Sequence, residues 1–172
     1  MADLFFFGTL QDADLFRIVV GRELTQFEQT EAILAGYRVR RAANYPFPVL
    51  VPDQLGEAPG LIVHGFTDNE VSRVAFYETN EYYLQDITVR HGLGDFVTAS
   101  AFFATEFLDA TEDTWSIEAW ATVIKPTALV EAELAMKLFG HVGLDEINNH
   151  WPDIECKAAQ MIAEQAGFAE SA

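Results

Sequence analysis

Hydrophobic positions along the chain follow one period at its start and another in its middle. Residues 4–7, LFFF, form an uninterrupted apolar run of strand length that enters a turn at Gly8-Thr9. From residue 12 the spacing changes to that of a helix over 12–20, with Asp12 as N-cap, Leu15, Ile18 and Val19 facing inward, and Gly21 as the stop. The polar passage after it carries no clear period. Residues 32–41, AILAGYRVRR, read as a strand bent at Gly36, and the Tyr45-Pro46-Phe47-Pro48 segment must be extended or turning, because each proline restricts its predecessor. A brief strand over 49–51 precedes a loop by composition over 54–60, then a strand over 61–66.

The most informative stretch is GFTDNEVSRVAFYETNEYYLQDITV, which opens as a helix at Thr67. Thr67 and Glu70 make a T-x-x-E capping box, with Phe66 and Val71 placed as a hydrophobic staple. Val71, Val74 and Ala75 fall on one side at three- and four-residue spacing, and Glu78 comes next on the same stripe. A carboxylate on an apolar stripe has its pKa raised by desolvation, and a helix ending near Asn80 pushes the same way. Such a group can take and return a proton near neutral pH. The alternative is that Glu78 ends a fraying helix in water.

Downstream, residues 86–89 form a strand and His91-Gly92-Leu93-Gly94 turns away from it. Residues 97–105 and 115–124 read as a hairpin around an acidic loop, and Pro126 closes the strand region. Residues 127–139 are amphipathic and helical, and a last helix starts near Trp151-Pro152 and runs to about residue 165. Six or seven short strands, one helix embedded after the fourth and two at the end define an α+β chain whose mixed sheet curls towards a small barrel. The barrel domain takes residues 1–125. Residues 126–172 form C-terminal helices that pack on the same domain or on a partner subunit, the latter giving a homodimer.

Composition narrows the function. With 27 acidic against 10 basic residues the formal charge is −17, a field that repels phosphate backbones and anionic membranes. A single cysteine, Cys156, excludes an internal disulfide and a cysteine-based zinc cage and fits a reducing cytoplasm. His64, His91, His141 and His150 are scattered without metal-ligand spacing, so no metal is expected, and His64 reads as a satisfied core residue. There is no G-x-S-x-G elbow, no phosphate loop and no apolar segment of about 20 residues.

Three stretches together resemble the gamma-glutamylcyclotransferase-like (AIG2-like) family: LFFFGTL at 4–10, ILAGYRVRRAANYPFPVLVP followed by PGLIVHGF, and FYETNEYYLQDITV. The resemblance covers residues 3–125. It implies a small barrel with flanking helices that acts as a lactam-forming acyltransferase, releasing 5-oxoproline from a small gamma-glutamyl amine or peptide without metal or organic cofactor. By position, Glu78 matches the catalytic glutamate, Phe7-Gly8-Thr9-Leu10 the substrate-binding turn, and Tyr82 the tyrosine that follows. Phe7 stands where the family motif has tyrosine. Leu84 and Gln85 occupy the place of an arginine in many members, and Thr122 lies about where a later strand brings a tyrosine to the pocket.

The chemistry agrees with these residue types. Lactam formation is an intramolecular attack of the α-amine on the γ-carbonyl, so the protein must mainly fold the substrate and supply one base that later acts as the acid. The turn at Gly8-Thr9 offers backbone N–H donors to the oxyanion, although the same turn serves equally as an ordinary strand-to-helix connection. The N-terminus of the following helix is a second place for the substrate carboxylate, against which Asp12 and Asp14 compete. The rival reading is a non-catalytic small-molecule-binding or interaction module on the same barrel.

Overall fold

A computed structural model of the chain describes residues 1–92, 94–106 and 108–169, with side chains through residue 166. In chain order the elements are β1 (Ala2–Phe6), α1 (Ala13–Val20), β2 (Gln29–Ala42), β3 (Pro48–Phe66), α2 (Asp68–Glu78), β4 (Tyr82–His91), β5 (Asp95–Ala104), β6 (Ala110–Thr114), α3 (Ile117–Val123), α4 (Lys125–Met136) and α5 (Ile147–Ala169). The sheet runs β3-β1-β5-β4-β2, and β2 returns to β3, so five strands close into a barrel. Strand β6 pairs with the end of β2, at Arg40 and Ala42, beyond the residues that pair with β4. The fold is therefore the small mixed α+β barrel with flanking helices that the sequence predicts.

Alternation along β1 explains how the barrel carries its helices. Phe5 and Phe7 join a core contributed by all five barrel strands, with Ile62, Val89 and Phe103 among its members. Leu4 and Phe6 point the other way, into a second core with Phe16 of α1, Phe66, Val74 of α2 and Ala132 of α4. Successive strand side chains face opposite sides, so one four-residue apolar run serves both cores. A third cluster joins Phe76 of α2 to Leu134 of α4 and to Ile147 and Ile154 of α5.

Several expected elements change. The loop expected over 54–60 lies within β3: residues 57–60 pair with Ala32–Ala35 of β2, while residues 53–56 have no partner in the ladder, which resumes at Tyr37↔Pro52. Its glycines are there for close approach: a Cβ on Gly56 would stand 2.6 Å from the Tyr37 carbonyl oxygen. The bend at Gly36 is real, a bulge between Ala35 and Tyr37 with Gly36 at φ 84°. Two strands of 14 and 19 residues thus replace several short ones, and α2 follows the third strand, not the fourth.

The hairpin expected between 97–105 and 115–124 is also replaced. The hairpin is β4 with β5, paired from Tyr82↔Ala104 to His91↔Asp95. Leu93 of its turn, and position 107 of the acidic stretch, lie outside the described residues. Residues 117–123 are helical because the Ser116 hydroxyl caps the Ala119 N–H at 3.2 Å, and Ile117, Trp120, Ala121 and Ile124 recur at helical spacing. Pro126 sits in the first turn of α4 and so opens a helix where it was expected to close the strand region. Helix α5 begins at Ile147, earlier than expected, which leaves Pro152 inside it. Proline there costs on the order of 3 kcal/mol. The fully buried Ile147 and Ala158, with Ile154 between them, place the opposing burial on one face of that helix.

Candidate active site

Helix α2 forms as its sequence dictates. Thr67 Oγ1 accepts from the Glu70 N–H at 3.3 Å, and a Glu70 carboxylate oxygen accepts from the Thr67 N–H at 2.8 Å. Val74 is fully buried and Val71 and Ala75 pack beside it. Glu78 is the last residue of this helix, half-buried, with one side turned to a cavity of about 510 Å³. Burial alone pushes its carboxyl up to about 7, with no cation or hydrogen bond opposing it. The solvated, fraying end is therefore not what the chain adopts.

The chain leaves Glu78 through a strained residue. Thr79 is buried and has φ 62° and ψ −166°, a conformation that is essentially glycine's alone. It is the one non-glycine residue with positive φ among the described residues. The strain reverses the chain directly after the carboxylate and leads through a short 3-10 turn into β4.

The same cavity is lined by Phe7, Gly8, Thr9 and Leu10 from the end of β1, by residues 45–48, and by Tyr77, Glu78, Glu81 and Tyr82. All six residues singled out in the sequence therefore face one space. Among the described residues, no backbone acceptor takes the N–H of Gly8 or Thr9, while their carbonyls accept from Gln11 and Asp12 at 3.1 and 3.0 Å. Gly8 has no room for a side chain, since a Cβ would lie 2.5 Å from Pro48 Cγ. The Tyr82 hydroxyl donates to the Pro48 carbonyl at 3.0 Å. Burial, with Glu78 and Glu81 nearby, holds the Tyr82 hydroxyl firmly protonated. Tyr77 behaves alike through burial, Glu78 and Glu131.

Other expected contributors lie elsewhere. Thr122 is on α3, exposed, with its hydroxyl bonded to the Glu118 carbonyl at 2.8 Å, so it brings nothing to the cavity from a strand. Leu84 and Gln85 are exposed on β4, outside the cavity lining. Of the adjacent tyrosines only Tyr82 lines the cavity, on the helix side of β4, while Tyr83 lies on the opposite face against Phe103 of the barrel core, ring centres 6.2 Å apart. The N-terminus of α1 is already occupied: an Asp12 carboxylate oxygen accepts from the N–H groups of Asp14 and Leu15, and Lys125 bonds both Asp12 and Asp14 at 2.7 Å. His64 is half-buried and satisfied, its ring nitrogens 2.9 Å from Asp3 Oδ2 and 3.1 Å from Thr30 Oγ1.

Sequence reading missed the far wall. Trp120, Glu131, Asn148, Trp151 and Glu155 reach the cavity from α3, α4 and α5. No local pattern marks them. For those on α4 and α5 the one signal is that residues 126–166 carry too much apolar surface to stand free. Asn148 Nδ2 donates to Asn80 Oδ1, tying α5 to the turn after Glu78.

A closed five-stranded barrel, with a flanking helix that ends on a buried carboxylate beside the turn after the first strand, defines a gamma-glutamyl cyclotransferase-like protein. The chain belongs to the family described as gamma-glutamyl cyclotransferase, AIG2-like, whose model matches residues 4–122. AIG2-like protein C of Arabidopsis thaliana is 29% identical over 80 residues. That match takes 46% of this chain and 45% of the relative, so it spans just under half of the relative's length. A solution structure of an Arabidopsis thaliana protein superposes with a TM-score of 0.58 at 23% identity, over 72% of this chain and 83% of that one. A yeast gamma-glutamyl cyclotransferase specific to glutathione gives 0.50 at 12% identity, over 87% and 96%. These structural likenesses are of fold. Among the described residues, no helix is long and apolar enough to cross a membrane.

Proposed function

We propose that the protein is a lactam-forming acyltransferase that releases 5-oxoproline from a small gamma-glutamyl amine or peptide, with Glu78 as both base and acid. The observation that carries this is the Glu78 carboxyl itself: desolvated, facing a cavity, and placed near 7 by burial alone. A group with that pKa accepts a proton at neutral pH and returns it in the same turnover.

In this reading Glu78 removes a proton from the α-ammonium of the glutamyl unit. The freed amine attacks the γ-carbonyl carbon, forming the ring C–N bond and a tetrahedral oxyanion. The unengaged N–H groups of Gly8 and Thr9 line the same cavity and are suited to receive that oxyanion. Glu78 then protonates the departing nitrogen and takes the second proton from the ring ammonium, the original amide C–N bond breaks, and that proton leaves on the amine, as an ammonium, beside 5-oxoproline. No water enters the balance, and tethering of the nucleophile removes most of the entropic cost. Family membership and the yeast neighbour's described specificity for glutathione support the reaction type.

The second reading, a non-catalytic binding module, is favoured by one feature: Phe7 presents no hydroxyl to the cavity. Measuring 5-oxoproline release from glutathione, gamma-glutamyl dipeptides and gamma-glutamyl-lysine separates the two. Release that disappears in Glu78→Gln is expected. No release from any of them by the folded protein would favour the module.

A further inference from the structure

Three successive carbonyls in the cavity wall are each taken by a donor from a different place in the chain. Trp115 Nε1 donates to the Pro46 carbonyl, the Ala42 N–H to the Phe47 carbonyl and the Tyr82 hydroxyl to the Pro48 carbonyl, each at 3.0 Å. Pro46 and Pro48 have no N–H to offer, so this segment is held through its carbonyls. The Ala43 N–H adds a bond to the Asp109 carbonyl at 2.8 Å, just before β6. That side is anchored in turn. Arg41 pairs with Asp113 at 3.1 Å, and Thr111 Oγ1 donates to the Arg41 carbonyl at 3.2 Å.

What these bonds hold is aromatic. Tyr45 and Phe47 stack with ring centres 4.9 Å apart and planes 13° from parallel, and Phe47 stands 6.2 Å from the Tyr82 ring. Both line the cavity with Pro46 and Pro48. Pro48 lies against Gly8, so this wall adjoins the turn that the cyclotransferase reading assigns to the oxyanion. Trp115 itself does not line the cavity. It is buried in the core that holds Leu10, Phe16 and Trp120. Its indole N–H is its one donor, and it acts on the wall through Pro46.

We propose that Trp115 is a positioning residue that sets the length of acyl chain the site accepts. Through Pro46 it fixes the Tyr45–Phe47 pair as a wall that fits a gamma-glutamyl unit and crowds one with an extra methylene. Ring closure requires the glutamyl chain to curl until its amine meets its own γ-carbonyl, so an unyielding wall favours the curled form. One methylene in an apolar pocket is discriminated by roughly 10- to 200-fold, and a wall free to shift discriminates less. The proposal rests on the cyclotransferase reading, since it names what that site selects.

The test compares gamma-glutamyl-n-butylamide with the δ-(α-aminoadipyl) amide of the same amine. The longer compound would close a six-membered lactam by the same exchange of one amide C–N bond for another. The ratio of the two kcat/KM values does not depend on how much of the enzyme is folded. Expected in the wild type is a preference for the glutamyl amide of at least about tenfold. Trp115→Phe keeps a packed ring and loses the donor, and its ratio falls by about threefold or more. Phe47→Ala removes the wall itself and lowers the ratio too, which decides the matter if Trp115→Phe does not fold. Val19→Ala, a truncation on α1 in the same core as Trp115, destabilises the fold and keeps the wild-type ratio. An unchanged ratio in Trp115→Phe or in Phe47→Ala, or an equal fall in Val19→Ala, would overturn the proposal.

Hydrogen exchange separates this claim from the reaction it rests on. Faster exchange of the Tyr45 and Phe47 amides in Trp115→Phe, with β1 and β5 unchanged, is expected whether or not any amide is turned over. Equal exchange in the two proteins would show that Trp115 does not hold the wall. No turnover of either amide, or of the three gamma-glutamyl compounds named above, ends the catalytic reading and the selection with it. Turnover with an unchanged ratio keeps the catalytic reading and ends the role of Trp115.

Discussion

The Tyr82 hydroxyl donates to the carbonyl oxygen of Pro48 at 3.0 Å, while the ring of that proline stands 2.5 Å from where a Cβ on Gly8 would begin. Pro48 thus connects the start of β4 to the turn after β1, two pieces of the cavity wall that are 74 positions apart in the chain. Gly8 has a negative φ of −126°, so its need for glycine is one of space and not of handedness. Gly8→Ala is expected to push Pro48 away and misalign the Tyr82 bond. Overpacking of this kind costs on the order of 1–3 kcal/mol, readable by chemical denaturation. Tyr82→Phe loses only the bond, about 1 kcal/mol. If Gly8→Ala matched the wild type in both stability and 5-oxoproline release, Pro48 would not be fixing the wall.

Glu78→Gln keeps the shape and the hydrogen-bonding capacity of the side chain but cannot accept the proton. Turnover is expected to fall by on the order of 10²–10⁴-fold, with substrate binding largely retained. Wild-type kcat/KM is expected to rise with pH through about 7, where Glu78 ionises. Unchanged turnover in the variant would end the assignment of Glu78 as base.

The same carboxyl makes stability depend on pH. Glu78 is held near 7 in the folded chain against a reference value of 4.5, so between those values the unfolded chain has released a proton that the folded chain retains. Stability therefore falls as pH rises from about 4.5 to about 7, by on the order of 3 kcal/mol for the full shift. Glu81 and Glu131 are also raised by burial and push the same way. Denaturation midpoints across this range should slope down in the wild type and flatten in Glu78→Gln. A wild type as stable at pH 8 as at pH 5 would contradict the burial of Glu78.

Thr79 holds a glycine-like conformation at φ 62°. Thr79→Gly relieves that strain, which is worth on the order of 1–3 kcal/mol. Against this stand the greater freedom of glycine in the unfolded chain and the loss of the 3.3 Å bond from the Glu81 N–H to Thr79 Oγ1. A net gain of about 1 kcal/mol is expected, seen as a higher Tm. A lower Tm would mean that the buried threonine's packing outweighs its strain.

Removal of everything after Pro126 exposes the faces of α1 and its neighbours that Ala128 and Ala132 cover, and takes Glu131 and Trp151 from the cavity. The shortened chain is expected to aggregate or to melt well below the full chain in a thermal scan. An equally stable, soluble truncation would show that the barrel does not need its helical cover.

Local rules in the sequence were sufficient for the parts whose partners are close along the chain. Asp12 and Gly21 bracket α1, the Thr67–Glu70 box starts α2, and three-to-four spacing carries Glu78 round to the buried side. Each of these depends on contacts within a few residues, so a local pattern suffices. The family resemblance then linked Glu78, the Gly8-Thr9 turn and Tyr82, which the fold brings to one cavity.

Only tertiary structure decided the rest. The glycines and prolines of 54–60 have the composition of a loop, yet pairing of residues 57–60 with β2 makes that half strand, because close approach of neighbouring chains demands small residues such as Gly60. Pro152 is a helix breaker by propensity, and burial of Ile147, Ile154 and Ala158 overrides it. The acidic and aromatic far wall comes from α3, α4 and α5, 38 residues beyond Tyr82 for Trp120 and further still for Glu131, Trp151 and Glu155. No periodicity spans such separations. Which carboxylates meet in one cavity depends on how the chain closes, and closing the five-stranded barrel fixes where the helices that carry them must pack.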